Sequence, residues 1–266
     1  MSCASGATAG MLGNARDLPI RADRSASDAE RNACLENRLT LCGWLGGAGI
    51  LLALAAPPLA GCLYVCDDLG AFHLPLRSFY AQQLAARQPF DWMPQLYAGF
   101  YLTGEGQAGT YHPLHFALYR LLPLSAAFSV ELLLSYPLMF VGMVLFLEQR
   151  VRQRSAAALG ALAFTFGSFN LLHFVHPNAI AIVAHIPWLL WAIDVVFRPS
   201  RPWQSNAALV LIALLVGSQI LLGYPQYVWF SLLAVAALTI YLTFERRVGP
   251  HVPTAGTADG LRPPTH

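Results

Sequence analysis

The residues best suited to chemistry are two adjacent acids, Asp67 and Asp68, that directly follow a long apolar run. At the end of a membrane-spanning stretch, such carboxylates meet any substrate carried in lipid. A positioned carboxylate can take the proton of an attacking hydroxyl. Carboxylate oxygens are also the ligands that hard divalent cations such as Mg²⁺ or Mn²⁺ prefer. The bland alternative is a pair of solvated acids flanking a span. Neighbouring side chains diverge on an extended chain, so one acid is expected to face a cavity and the other water, with Asp68 inward.

Other chemical side chains are more dispersed. His173 and His176 fall near the end of one apolar stretch and His185 inside the next. Polar groups within a membrane are costly and tend to be functional, although neutral histidines can simply bond between helices. His112 and His115 are separated by Pro113, which favours packing. Gly104 to Gly109 matches G-x-G-x-x-G, but that fingerprint requires a strand before it and a helix after it on the cofactor's side of the membrane. In an outside loop it is discarded. Cys62 and Cys66 are spaced for one face of a helix, and with Cys3, Cys34 and Cys42 they are read as small, buried apolar residues. No Ser/His/Asp or Cys/His spacing supports a hydrolase.

The elements that must position these groups are membrane helices. Of 266 residues, 56 % are apolar or aromatic and 11 % charged, against roughly 25 % charged in an ordinary globular domain. Mean hydropathy is +0.50. A net charge of +2 with no basic stripe excludes nucleic-acid binding. Residues 39–66, 155–193 and 203–244 carry no Asp, Glu, Lys or Arg. About 20 apolar residues cross a bilayer, so the first window is one span and the other two are helix pairs. His176-Pro177-Asn178 and Gly223-Tyr224-Pro225-Gln226 break those pairs with turn chemistry. A further span near 124–147 contains one acid, Glu131, expected to reach the interface. The expected fold is an all-α polytopic bundle of about six spans, near 41–65, 124–147, 156–175, 179–197, 206–222 and 227–244.

All sixteen basic residues are Arg, and with the N-terminus inside, thirteen fall on inside segments. The positive-inside rule therefore sets both termini inside. Residues 1–38 and 248–266 read as disordered cytoplasmic tails around a transmembrane domain over 39–247. One long outside loop, about 66–123, joins the first two spans. Within it, Pro75 opens an amphipathic helix with Leu76, Phe79, Tyr80 and Leu84 on one face. That helix is expected along the membrane surface. Trp92, Tyr97, Phe100, Tyr101 and Tyr111 are expected to pack over the outer span ends.

The order of these pieces resembles the YfhO-type bacterial membrane proteins, relatives of the GT-C glycosyltransferases. The resemblance rests on Asp67/Asp68, His73-Leu74-Pro75, Trp92-Met93-Pro94 with Gly99, Tyr111-His112-Pro113-Leu114 and Gly223-Tyr224-Pro225-Gln226. It covers about 40–244 and implies transfer of a sugar from a polyprenyl-phosphate carrier to an acceptor on the outer face. It also implies that an acid in the first outside loop is the catalytic base or is linked to a metal, a place that Asp67 and Asp68 both match. Arg77, His73, Glu105, Tyr111, His112, His176 and Gln226 become candidates for substrate binding, with Arg77 among the few outside cations for a phosphate. Family members are longer, so the chain is expected to be the front part of such an enzyme. The rival readings are a non-catalytic or degenerate membrane subunit and a transporter; a transporter calls for helices broken at mid-depth, whereas this sequence puts its breaks at span ends.

Overall fold

A computed structural model describes residues 17–151 and 153–248. It is an all-α bundle with almost no sheet. Six of its helices are long and apolar enough to cross a membrane among the described residues: Glu30–Leu59, Leu124–Glu148, Arg154–Val175, Pro177–Phe197, Pro202–Leu222 and Pro225–Val248. In chain order these are the bulk of α1 (Asp17–Leu59), α4 (Leu124–Glu148), α5 with α6 (Arg154–Thr165, Ser168–Leu172), α7 (Pro177–Phe197), α8 (Pro202–Leu222) and α9 (Pro225–Val248). The expected span count holds, and the last five spans agree with their expected boundaries to within a few residues, but the first ends at Leu59 rather than near residue 65. Residues 1–16 and 249–266, which include most of both expected tails and Cys3, lie outside the described residues. Residues 17–38 correct the expected boundary, because α1 begins at Asp17 rather than near residue 39.

α4 and α7 form the centre, with α5 and α1 against one side and α8 and α9 against the other. Tyr136, Met139, Ile180, Val183 and Ala184 make the core where α4 meets α7. Lipid supplies no hydrophobic drive between helices, so small residues that let backbones approach decide the packing. A Cβ at Gly43 of α1 would lie 2.7 Å from the Cβ of Ala158 on α5, and one at Gly142 of α4 would lie 2.6 Å from the indole nitrogen of Trp188 on α7. At one end of this packing Glu36 accepts from the Ser155 amide (2.8 Å) and hydroxyl (2.6 Å). That places a carboxylate on the positive start of α5.

The third span is not continuous. Its break falls inside the span, at Phe166–Gly167, whereas the sequence reading put breaks only at span ends. A Cβ at Gly167 would lie 2.7 Å from the Ala163 carbonyl. The Asn170 amide donates to the freed Phe164 carbonyl at 2.7 Å, and the Asn170 carbonyl accepts from the Tyr136 hydroxyl at 2.9 Å. The interruption is therefore stitched to α4, as backbone polar groups at membrane depth require.

Residues 60–123 fold into a cap over one end. It contains a π turn (Leu69–His73), α2 (Leu74–Ala86), a two-residue hairpin β1 (Trp92–Met93) and β2 (Phe100–Tyr101), and α3 (Pro113–Leu121). Trp92 pairs with Tyr101 and Met93 with Phe100. The apolar face of α2 does not lie on lipid. Leu76, Phe79, Tyr80 and Leu84 are buried against Leu102, Ala108, Tyr119 and Ala127. The aromatic expectation also fails at four of five positions: Trp92 is 55 % exposed, Tyr97 84 %, Tyr101 56 % and Tyr111 54 %. Smaller apolar groups, with Phe90 and Phe100, do the packing instead. Cys34, Cys42, Cys62 and Cys66 are free and exposed rather than buried, and Cys62 and Cys66 follow the end of α1 rather than sharing a helix.

Candidate functional site

The acid pair lies where the chain leaves α1 and turns into the cap. Asp67 adopts φ +51, which divides the pair. Asp67 is exposed, while Asp68 turns back toward the bundle. Gly70 makes this turn possible, since a Cβ there would be 2.4 Å from the Val65 carbonyl. The carboxylate Oδ2 of Asp68 lies 3.1 Å from His176 Nε2, an ion-pair distance, with about half the acid side chain open to solvent. His176 sits at the start of α7, held by the short turn His173–Val175 and by Pro177 in the first helical position. His176 Nδ1 is buried and meets no hydrogen-bond partner.

His73 stands behind this pair and is buried. Burial, reinforced by Arg77 and opposed by Glu131 and Asp68, pulls its pKa down to about 4. It is a neutral imidazole between two charged groupings. The second grouping is a buried cluster around Arg77 of α2 and Glu131 of α4, 3 % and 6 % exposed. Arg77 Nε donates to Glu131 Oε2 at 2.9 Å and Nη2 to Oε1 at 2.5 Å, a bidentate fork. Arg77 Nη1 also donates to the Ala108 carbonyl, and the Tyr119 hydroxyl donates to Glu131. His115 Nε2 lies 3.4 Å from Glu131 Oε1. Burial pushes His115 down to about 4. Glu131 and its partner Tyr119 push the Arg77 guanidinium above its ordinary range against the effect of burial. Arg77 is thus consumed by an internal ion pair, which corrects its expected place at a phosphate. Glu131 is correspondingly a core residue rather than an interfacial one. The available signal was the lone acid within a span and the lone Arg on an otherwise neutral cap helix, since buried charges come in pairs.

Two of the remaining candidates, Glu105 and His112, belong to the contacts that fasten the cap to the bundle. Glu105 accepts from the Gln107 amide at 2.7 Å, and burial raises its pKa. The Gly106 carbonyl then receives the Tyr224 amide at 2.7 Å, and the Gln107 carbonyl receives Asn178 Nδ2 at 3.3 Å. The glycine-rich stretch is therefore a docking turn, and the next helix starts only at Pro113. Gly223, at φ +82, is required on the opposite side: a Cβ there would sit 2.1 Å from the Gly106 carbonyl. His112 is buried and shares the Ser218 hydroxyl with His185, each ring nitrogen at 2.8 Å. These are histidines bonding between elements. Tyr111 donates to Asp91 at 2.8 Å on the exposed side of the hairpin, and Gln226 is exposed at the start of α9. Of the expected site residues, Asp68, His73 and His176 come together. Arg77 and His112 line or support a second region, while Asp67, Glu105, Tyr111 and Gln226 stand apart.

Two cavities adjoin these groups. An apolar groove of about 530 Å³ lies between the second half of α1 and the first half of α4, lined by Leu51, Ala55, Pro58, Val130, Leu133 and Pro137 among others. It runs to Leu63, close in chain to Asp68. A cavity of about 220 Å³ lies under the cap, among His112, His115, Glu131, His185 and Trp188. No three His, Cys, Asp or Glu side chains converge on one point among the described residues.

Fold and site together define a multi-pass α-helical membrane protein with a folded polar cap at one end of its bundle. No protein-family model, curated protein or solved structure matches the chain.

Proposed function

We propose that the chain is a GT-C-like glycosyltransferase, or the membrane part of one, acting on the outer face of a bacterial inner membrane with both termini inside. The observation that carries this reading is Asp68: a half-open carboxylate paired with His176, in the segment that leads from an apolar groove reaching Leu63 into the cap. The groove suits the first isoprene units of a polyprenyl-phosphate sugar. Asp68 accepts the proton of the acceptor hydroxyl as that oxygen attacks the anomeric carbon, and the carrier phosphate departs. His176 holds the carboxylate in place and disperses the proton's charge. Arg87 and Arg120, both exposed on the cap, are the cations free to meet the phosphate. The Arg distribution supports the orientation.

The interrupted third span is the feature that favours a transporter, since broken helices there build midplane ion sites. Here the break is stitched by Asn170 and Tyr136, and the half-open carboxylate lies in the cap segment rather than at the break.

The test is transfer from a polyprenyl-phosphate sugar by membranes containing single variants. Asp68→Asn is expected to lower the rate about 10²–10⁴-fold, the usual worth of a general base. Asp67→Asn is expected to leave it within a few-fold. Transfer at the wild-type rate by Asp68→Asn overturns the assignment.

A further inference from the structure

The opposite end of the bundle holds a site that the transferase reading does not use. Arg150 and Arg154, Arg198 and Arg201, and Arg246 and Arg247 flank the helix ends there, because α4, α7 and α9 end where α5 and α8 begin. Between α7 and α8 at this end lies a cleft of about 300 Å³. At the helix ends it is lined by Arg198, Ser200, Trp203 and Gln204, which form its mouth, and further along the helices by Val195, Ala207, Ala208 and Leu211, which form an apolar trunk. No acid lines it among the described residues.

The polar groups of the mouth present donors. One Arg198 nitrogen donates to Glu245 of α9 at 2.6 Å, in a pair that is nearly half exposed and so weakly held. The rest of the guanidinium fork remains available. The Gln204 carbonyl accepts from the Arg201 amide at 2.9 Å, which leaves its NH₂ as the free end. The acceptor in the wall is spent: Gln149, oriented to satisfy both neighbours, donates to Asp194 at 2.7 Å and accepts from Trp191 Nε1 at 2.8 Å. A donor-rich mouth above an apolar trunk selects an anion with a hydrocarbon tail. A bare cation finds no carboxylate here, and inorganic phosphate leaves the trunk unfilled. Trp203, 60 % exposed at the rim, is the side chain that membranes place at headgroup level. Basic pockets between spans are a recurrent way to hold acidic headgroups.

We propose that this cleft binds the headgroup of an anionic phospholipid. The phosphate is taken by Arg198, Ser200 and Gln204, and the first acyl carbons lie along Ala207 and Leu211. The proposal is independent of Asp68 and survives if the transferase reading fails.

The experiment is native mass spectrometry of the purified full chain in mild detergent, titrated with phosphatidylglycerol or phosphatidylcholine of matched chains. The wild type is expected to bind phosphatidylglycerol at least tenfold tighter. Arg198→Gln is expected to erase most of that preference. Glu245→Gln frees the guanidinium and is expected to tighten phosphatidylglycerol several-fold. Ala207→Leu fills the trunk without changing charge and is expected to weaken both lipids. Inorganic phosphate at the same concentration is expected not to displace the lipid. Absence of preference, displacement by inorganic phosphate, or a phosphatidylglycerol affinity unchanged in both Glu245→Gln and Ala207→Leu overturns the proposal. The last two variants keep it testable if Arg198→Gln does not fold.

Discussion

Glu131→Gln isolates the value of the buried ion pair that anchors the cap. Gln is nearly isosteric, so it opens no cavity, and its carbonyl still accepts from Tyr119 and Arg77. What it removes is the charge that compensates a guanidinium 3 % exposed. Stranding one partner of a buried pair costs about 3–5 kcal/mol. Retained hydrogen bonds put Glu131→Gln at the lower end, about 3 kcal/mol, or roughly a hundredfold in the folding equilibrium. The chain contains its own control. Arg198–Glu245 is nearly as short at 2.6 Å but close to half exposed, so Glu245→Gln is expected to cost about 0–1 kcal/mol. Both are measured by unfolding with SDS titrated into mild detergent, alongside hydrogen exchange over residues 66–123. If a stranded cation is the cause, Arg77→Met added to Glu131→Gln costs little further, a strongly non-additive cycle. Equal losses from Glu131→Gln and Glu245→Gln, or an additive double variant, would refute the reasoning.

Three other expectations concern the cap and the bundle. His73, His112 and His115 each fold with a pKa near 4, below their ordinary 6.5, chiefly through burial. The unfolded cap therefore binds more protons between these values. Cap stability is complete above about pH 6.5 and declines as pH falls toward 4, which limited proteolysis at pH 7.5, 6 and 5 will show; greater protection at pH 5 than at 7.5 contradicts the sign. Gly223→Ala puts a Cβ 2.1 Å from the Gly106 carbonyl at φ +82, so it is expected to undock the Gly104–Gly109 turn and speed exchange of the Tyr224 amide, leaving α4 and α7 unaffected. Reporter fusions after residues 100 and 225 should read one side of the membrane and a fusion after residue 200 the other; agreement of all three removes the six-span topology.

The membrane bundle was legible because its causes are local. Charge-free windows of spanning length and the turns at Pro177 and Pro225 can each be read within a few residues, and lipid demands closed helices of that length. The turning apart of Asp67 and Asp68 was likewise local, a matter of one backbone φ. The partners were not local. Arg77 and Glu131 are 54 positions apart; a lone Arg on a neutral cap helix and a lone acid in a span each call for a partner, but neither neighbourhood says that α2 lies against α4. A cation on a cap helix looks solvated until the fold closes over it. The same holds for Asp68 and His176, and for His112 and His185, joined only when Ser218 of α8 passes between them. Small residues such as Gly43 and Gly223 permit close approach, but which backbone approaches is decided by the packing of the whole bundle. Sequence by itself determined that the chain crosses a membrane, how often, and which acids stand at its edge. Tertiary structure alone decided which charges are spent on one another and which remain open, because the cost of burying a charge depends on what else the fold brings within a few ångströms of it.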